Sequence, residues 1–273
     1  MLKDITLGQF FPGKSILHRL DPRIKLILSI LYIVLIFLAK GVTAYALVFL
    51  FTVFLVIVSG IPVKTILKSL KPILIVLIFT ALINIFWNGG ETPLFTVWKI
   101  TIYCEGVIGA AAMALRIVFL MVGTSVLLTY TTSPISLTDA IERLLSPLRV
   151  IKIPVHEFAM MMTIALRFIP TLIEEADKIM KAQMARGADF ETGNLFARAK
   201  AMIPLLVPLF VSAFRRAGEL AMAMEARCYR GGDGRTRMTV LHLHVRDLLF
   251  TALVCAVIAG IVLLNLYFPV YTI

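Results

Sequence analysis

The chain has 273 residues, 60% hydrophobic and only 16% charged, with a mean hydropathy of +0.94, which excludes an ordinary soluble globular protein. Its formal net charge of +11, from 27 Lys and Arg against 16 Asp and Glu, would suit a nucleic-acid ligand in a polar chain. In one this apolar it reads instead as a topological signal combined with attraction to membrane lipid, and no nucleic-acid partner is expected.

The N-terminal segment carries a false lead. Gly8-Gln9-Phe10-Phe11-Pro12-Gly13-Lys14-Ser15 fits the phosphate-loop pattern G-x-x-x-x-G-K-[ST] letter for letter. That loop needs a buried strand before it, a helix after it and an α/β domain around both. Only seven residues precede Gly8, and Asp21-Pro22 follows Ser15 within six positions. Nucleotide binding is therefore not expected, and energy from ATP must come from another polypeptide. The first apolar run starts after some two dozen residues and further runs follow it, so no signal peptide is expected.

Five apolar runs suit the thickness of a bilayer: 24–39, 41–59, 72–88, 105–130 and 247–268. The first is the shortest, and its flanking Lys25 and Lys40 can reach towards the headgroups. The expected fold class is an all-α integral membrane protein. Residues 1–130 form an N-terminal bundle, 131–245 a cytoplasmic region, and 246–273 the last span. Of the 27 Lys and Arg, 24 fall on one side of this division. The opposite loops hold only Lys40 and Lys99, and Arg116 lies within the fourth span. The bias places the N-terminus inside and the C-terminus outside.

Polar groups within the spans are few: Asn84, Arg116 and Asn265. Glu105 and Asp247 lie only at span ends, so a proton- or sodium-coupled carrier lacks its mid-membrane carboxylate. Arg116 is either a structural arginine turned towards the bundle or a gating or partner contact. His18, His156, His242 and His244 are spread over cytoplasmic or interfacial positions. Cys104, Cys228 and Cys255 fall in three different compartments. Neither set has metal-ligand spacing, and no metal or cofactor is expected.

After Thr131-Thr132-Ser133-Pro134, a short helix is expected over Ser136–Ser146. A second starts near Pro154 and keeps helical periodicity to Gly187, with a kink at Pro170. A linker with Gly193-Asn194 leads to a third helix, from about Leu195 to Cys228, interrupted near Pro204 and Pro208. Gly231-Gly232-Asp233-Gly234 forms a loop before the last span. The second and third helices end alike. Ala176, Ala182, Ala185 and Arg186 recur 41 positions later as Ala217, Ala223, Ala226 and Arg227. A last-turn arginine can simply complement the helix dipole. Two in matched small-residue settings point to two docking tips, since alanine admits a close backbone and guanidinium pairs bidentately with carboxylate. Nine of the twelve methionines lie between 160 and 238, Met160-Met161-Met162 among them. They suit either a repacking partner surface or a helical core.

Several stretches resemble the transmembrane (T) component of energy-coupling factor (ECF) transporters, the prokaryotic importers of vitamins and metals, and the resemblance covers nearly the whole chain. They are Ser15-Ile16-Leu17-His18-Arg19-Leu20-Asp21-Pro22-Arg23-Ile24-Lys25, Leu166-Arg167-Phe168-Ile169-Pro170-Thr171-Leu172 and Ala182-Gln183-Met184-Ala185-Arg186-Gly187. The resemblance implies a prokaryotic plasma-membrane protein, non-catalytic, whose tips Ala185-Arg186-Gly187 and Ala226-Arg227-Cys228 each dock on one of two ATPase subunits. It also implies contact with a substrate-binding (S) subunit, for which Met160, Met161, Met162, Phe168, Leu172, Leu205 and Leu209 are the candidates. One departure leaves the end of the third helix open: Cys228 stands where the family has glycine. The competing readings are a stand-alone channel or carrier, and an ordinary permease subunit of an ATP-binding-cassette importer. Glu175-Ala176 and Ile203-Pro204-Leu205 resemble, in outline, the cytoplasmic loop of such permeases.

Overall fold

Asp21 and Pro22 begin the first helix as capping chemistry dictates. The Asp21 carboxylate accepts the Arg23 N–H at 2.9 Å, and Pro22 occupies a first-turn position where its missing N–H costs nothing. The computed structural model describes residues 10–87, 93–97, 100–188, 190, 194, 196, 200–231 and 241–267. Gly8 and Gln9 of the phosphate-loop pattern, Gly193 with most of the adjoining linker, and the loop residues Gly232, Asp233 and Gly234 lie outside them.

The protein is helical, as its composition demands. Helix α1 (Pro22–Leu38) is followed by α2 (Val42–Ser59), α3 (Val63–Leu70), a 3-10 turn at Lys71–Ile73 and α4 (Leu74–Trp87). A short antiparallel hairpin, β1 (Pro93–Val97) with β2 (Ile100–Tyr103), then leads into α5 (Cys104–Thr124). Next come α6 (Pro134–Leu145), α7 (Val155–Ala185), α8 (Ile203–Ala226) and α9 (Val245–Tyr267). The hairpin is the one addition to the all-helical expectation among the described residues.

Five described helical stretches are long and apolar enough to cross a membrane, but they are not quite the five expected. Val42–Ser59, Val63–Phe86, Cys104–Thr129 and Val245–Tyr267 match expected runs, with mean hydropathies of 2.1 to 2.6. The fifth is Val155–Ala185, at only 1.2, while α1 has just 17 residues. Charged residues such as Glu157, Arg167, Glu174 and Lys178 keep α7 well below the others. The third expected run starts earlier than its hydropathy suggested, because α3 and the turn around Pro72 continue into α4. The fourth ends in a π turn, Ser125–Thr129, closed by the Tyr130 N–H donating to the Ser125 carbonyl at 2.9 Å.

The chain divides into two compact units, Gly8–Ala140 with Val240–Ile273 and Met1–Leu7 with Ile141–Thr239. The first, the membrane unit, holds the hydrophobic core, centred on Leu28, Tyr32, Leu35 and Ile36 of α1, all 0% exposed. Helix α1 packs on α5 and α9, and α2 on the same two. Gly123 permits the closest approach: a Cβ there would overlap the Tyr32 ring. The Tyr32 hydroxyl donates to the Phe119 carbonyl at 3.0 Å and lies 2.8 Å from Thr52 Oγ1, joining α1, α2 and α5 at one buried point.

Polar groups tie both ends of α1 to α9. Asp247 is 2% exposed and accepts the backbone N–H groups of Asp21 at 2.9 Å and of His244 at 2.8 Å. It thus caps its own helix and holds the start of α1. At the far end, Asn265 donates to the Leu38 carbonyl at 2.7 Å and accepts the Lys40 N–H at 3.3 Å. The two helices are parallel neighbours. The end of α5 meets the start of α1, where buried Lys25 donates to the Thr131 carbonyl at 2.8 Å and the His18 carbonyl at 3.3 Å.

Candidate functional site

Helices α7 and α8 form the second unit, and their C-termini are the candidate site. Helix α7 starts after Pro154, as the sequence indicates, and runs unbroken through Pro170. The expected break near Pro204 is present and the one at Pro208 is not. Lys200 and Ala201 are helical, Met202 is a turn, and α8 starts afresh at Ile203 with Pro204 in its first turn, whereas Pro208 lies inside an unbroken α8. Of the expected earlier start, Leu195 lies outside the described residues.

The two helix ends are the same structure. On α7, the Ala188 N–H donates to the Gln183 carbonyl and the Gly187 N–H to Met184, both at 3.0 Å. On α8, the Tyr229 N–H donates to Met224 at 3.0 Å and the Cys228 N–H to Glu225 at 2.9 Å. Both are Schellman caps, which require a left-handed residue just past the end. Gly187 takes that conformation at φ +88° without strain, and Cys228 takes it at φ +56° despite its side chain. The departure at Cys228 therefore leaves the cap intact at a cost of about 1 kcal/mol. The arginines before the caps match too, Arg186 at φ −89° and Arg227 at φ −91°. All six tip residues, Ala185, Arg186, Gly187, Ala226, Arg227 and Cys228, are exposed. Neither guanidinium is engaged by a described residue. Each tip thus offers a free cation beside small residues, a fitting surface for a carboxylate on another chain.

The helices meet at Glu175 and Arg216, whose Oε2 and guanidinium are 2.6 Å apart. These residues are also 41 positions apart, the offset that relates the two tips. Equivalent positions of two related helices touch each other only where the helices cross. The crossing point therefore lies 11 residues, or about 16 Å, from each arginine. A groove of about 290 Å³ adjoins it, lined by Phe168 and Leu172 of α7 and by Ala213, Ala217 and Met224 of α8. Sequence reasoning missed this pair, although each residue directly precedes a matched alanine of the offset-41 repeat, Ala176 and Ala217.

The other candidates are placed as follows. Met161 and Met162 are more than half exposed, Met160 and Leu209 are half-buried, and Leu205 is buried at 7%. Phe168 and Leu172 face the groove rather than open solvent. An exposed apolar stripe, Val207, Phe210, Val211 and Phe214 on α8, adds a surface that the sequence reading had not resolved residue by residue. In the membrane unit, the Arg116 Nε donates to the Tyr45 hydroxyl at 3.0 Å. Its guanidinium carbon lies 5.8 Å from the Tyr45 ring centre and 5.9 Å from that of Phe37. Aromatic faces from α1 and α2 thus cradle the charge. Asn84 donates back to the Thr80 carbonyl one turn earlier at 2.9 Å.

The false phosphate loop is also explained. Ser15 Oγ lies 2.6 Å from His18 Nδ1, and His18 Nε2 lies 2.9 Å from the Phe11 carbonyl. With Nε2 protonated, both contacts are satisfied and the segment is held as a closed turn. A 3-10 turn, Leu17–Arg19, follows Ser15 in place of the long helix that a phosphate loop opens.

Comparison with known proteins gives one family. The model of the CbiQ family, described as cobalt transport protein, matches residues 13–239. The chain is 58% identical over 259 residues to the energy-coupling factor transporter transmembrane protein EcfT of Clostridium kluyveri, covering 94% of this chain and 95% of that one. It is 54% identical over 268 residues to the protein of the same name from Ruminiclostridium cellulolyticum, covering 98% and 100%. For that of Bacillus subtilis the identity is 48% over 264 residues, 97% of each.

Proposed function

The chain belongs to the CbiQ family of cobalt transport proteins, and on that premise we propose that it is the transmembrane component of an energy-coupling factor importer. It is a multi-pass protein of the bacterial plasma membrane and works within a multi-subunit transporter. In the finer reading it catalyses nothing. Arg186 and Arg227 each seat in an acidic groove of one of two ATPase subunits. The exposed methionines and the α8 stripe Val207–Phe214 hold a small substrate-binding subunit that carries the vitamin or ion. Closure of the ATPases moves the tips, and the crossing at Glu175 and Arg216 passes that motion along both arms.

The observation that carries this reading is the equivalence of the two tips: the same cap, the same exposed arginine and the same arm length from one crossing point. A last-turn arginine serving only its own helix dipole has no need of matched geometry. The polar groups of the spans weigh against a self-sufficient carrier. Arg116 is held by Tyr45, Asn265 by the end of α1, and Asn84 by its own helix.

The pinned ends of α1 and α9 bear on topology. Both helices start on one side, so an even number of crossings separates those starts. Crossings by α1, α2, α3 with α4, and α5 meet this count, which supports a reading with α7 outside the bilayer. With the charge bias of the loops, that side is the cytoplasm. Affinity purification of the intact chain from native membranes tests the reading. Two ATPases and a small hydrophobic protein are expected to accompany it, and recovery of a transport-competent chain alone would refute it.

A further inference from the structure

Three cations gather around one groove of the membrane unit, and none of them forms an ion pair with a described residue: Lys14, Arg19 and Arg246. The groove measures about 540 Å³. Its remaining walls are apolar, with Ile16 57% exposed, Leu249 65% and Leu253 38%, over a floor of buried Phe250. Among the described residues, the two acids at the start of α1 and α9 do not neutralise the charge. Asp247 is turned inward onto the Asp21 and His244 N–H groups, and Asp21 is held by Arg23. Like charges collected without a counter-charge repel, so the arrangement favours a bound anion.

The order of the lining residues indicates which anion. Arg246, Leu249, Phe250 and Leu253 follow one face of α9, a helix apolar enough to cross the membrane. The cations sit at its start, and the apolar wall extends from them by about 10 Å along the helix. Positive charge at the headgroup level above an apolar slot is the complement of a phospholipid, anionic head over acyl chain. A soluble anion would have no use for the slot.

We propose that this groove is a specific site for one anionic phospholipid, whose phosphate bridges the Lys14–Arg19 segment and Arg246 and so braces the N-terminal segment against α9. The headgroup class does not depend on which way the chain is oriented; only the leaflet does. Nor does the proposal rest on the docking role of Arg186 and Arg227.

The test uses the purified transporter in nanodiscs of phosphatidylcholine doped with phosphatidylglycerol. Lipid retained after detergent washing is measured by mass spectrometry. The wild-type chain should retain phosphatidylglycerol over phosphatidylcholine. Each neutralisation among Lys14→Gln, Arg19→Gln and Arg246→Gln should lower retention about fivefold. The charge-keeping set Lys14→Arg, Arg19→Lys and Arg246→Lys should retain it. Undiminished phosphatidylglycerol on the triple glutamine variant would overturn the proposal, as would its displacement by inorganic phosphate at equal headgroup concentration. Photoreactive phosphatidylglycerol applied to the wild-type chain gives an answer independent of any variant's folding. Labelling is expected within 14–19 and 246–253, and labelling confined to other segments, or a photocrosslinker at position 249 capturing another subunit, would refute the site.

Discussion

The membrane unit and the coupling unit spend the same kinds of residue in opposite ways. In the interior of the membrane unit, polar side chains are paired: Asp247 with two backbone amides, Lys25 with two carbonyls, Arg116 with Tyr45. Its core includes side chains from α1, α2, α5 and α9 with no exposed surface or almost none. In the coupling unit, which is the second unit, only Glu142, Val155, Ala159, Leu205 and Ser212 are buried among the described residues. Its tip arginines, Arg186 and Arg227, are exposed and unengaged by any described residue, and Phe210 and Phe214 are more than half exposed. A pair of helices with so little buried apolar surface gains little from folding alone. The contrast teaches that the first unit is complete in its interior, while the second leaves cationic and apolar surface uncovered by the described residues.

The largest effect should come from the tips. Arg186→Glu or Arg227→Glu is expected to abolish ATP-dependent uptake in membrane vesicles while the chain still inserts and accumulates normally. Uptake that survives in both variants would remove the basis for the contrast. Next comes the interior of the membrane unit. Gly123→Leu forces a side chain into the Tyr32 ring and should cost about 3 kcal/mol, read as a drop in unfolding temperature in detergent. Gly218→Ala on α8, where an added methyl group meets open space, should instead stabilise by about 1 kcal/mol.

The crossing point gives a smaller effect with a sharper signature. Glu175→Arg or Arg216→Glu should each weaken the α7–α8 pairing by roughly 1 kcal/mol, because both side chains are partly solvated. The double swap should restore uptake. Failure of that rescue would mean that one of the two charges serves a partner instead. The smallest change tests the strained cap. Cys228→Gly should relieve about 1 kcal/mol, slowing hydrogen exchange at the Tyr229 amide and leaving uptake intact. Gly187→Cys should speed exchange at Ala188 by the same factor that the first change slows it at Tyr229.

Much of the fold was legible because membrane helices are written locally. Runs of apolar residues, Pro154 at a helix start, and Gly187 past a helix end each act through neighbours a few positions away. Where the linear reading went astray, local rules competed. Pro208 was taken as an interruption although α8 runs through it, and α3 was missed because its lysines lower the hydropathy. For the candidate site, the repeated letters were plain, but Cys228 left the second end undecided. Only its observed left-handed backbone shows that the two ends close alike.

By itself, then, the sequence established a helical membrane protein of this family with two matching basic helix ends, since period, length and a fixed offset are properties of the linear chain. Tertiary structure alone decided what the polar groups do. Arg116 finds Tyr45 across 71 positions, and Asp21 finds Asp247 across 226. In a low-dielectric interior each such group must meet a partner, and which partner lies within reach is set by how the helices pack.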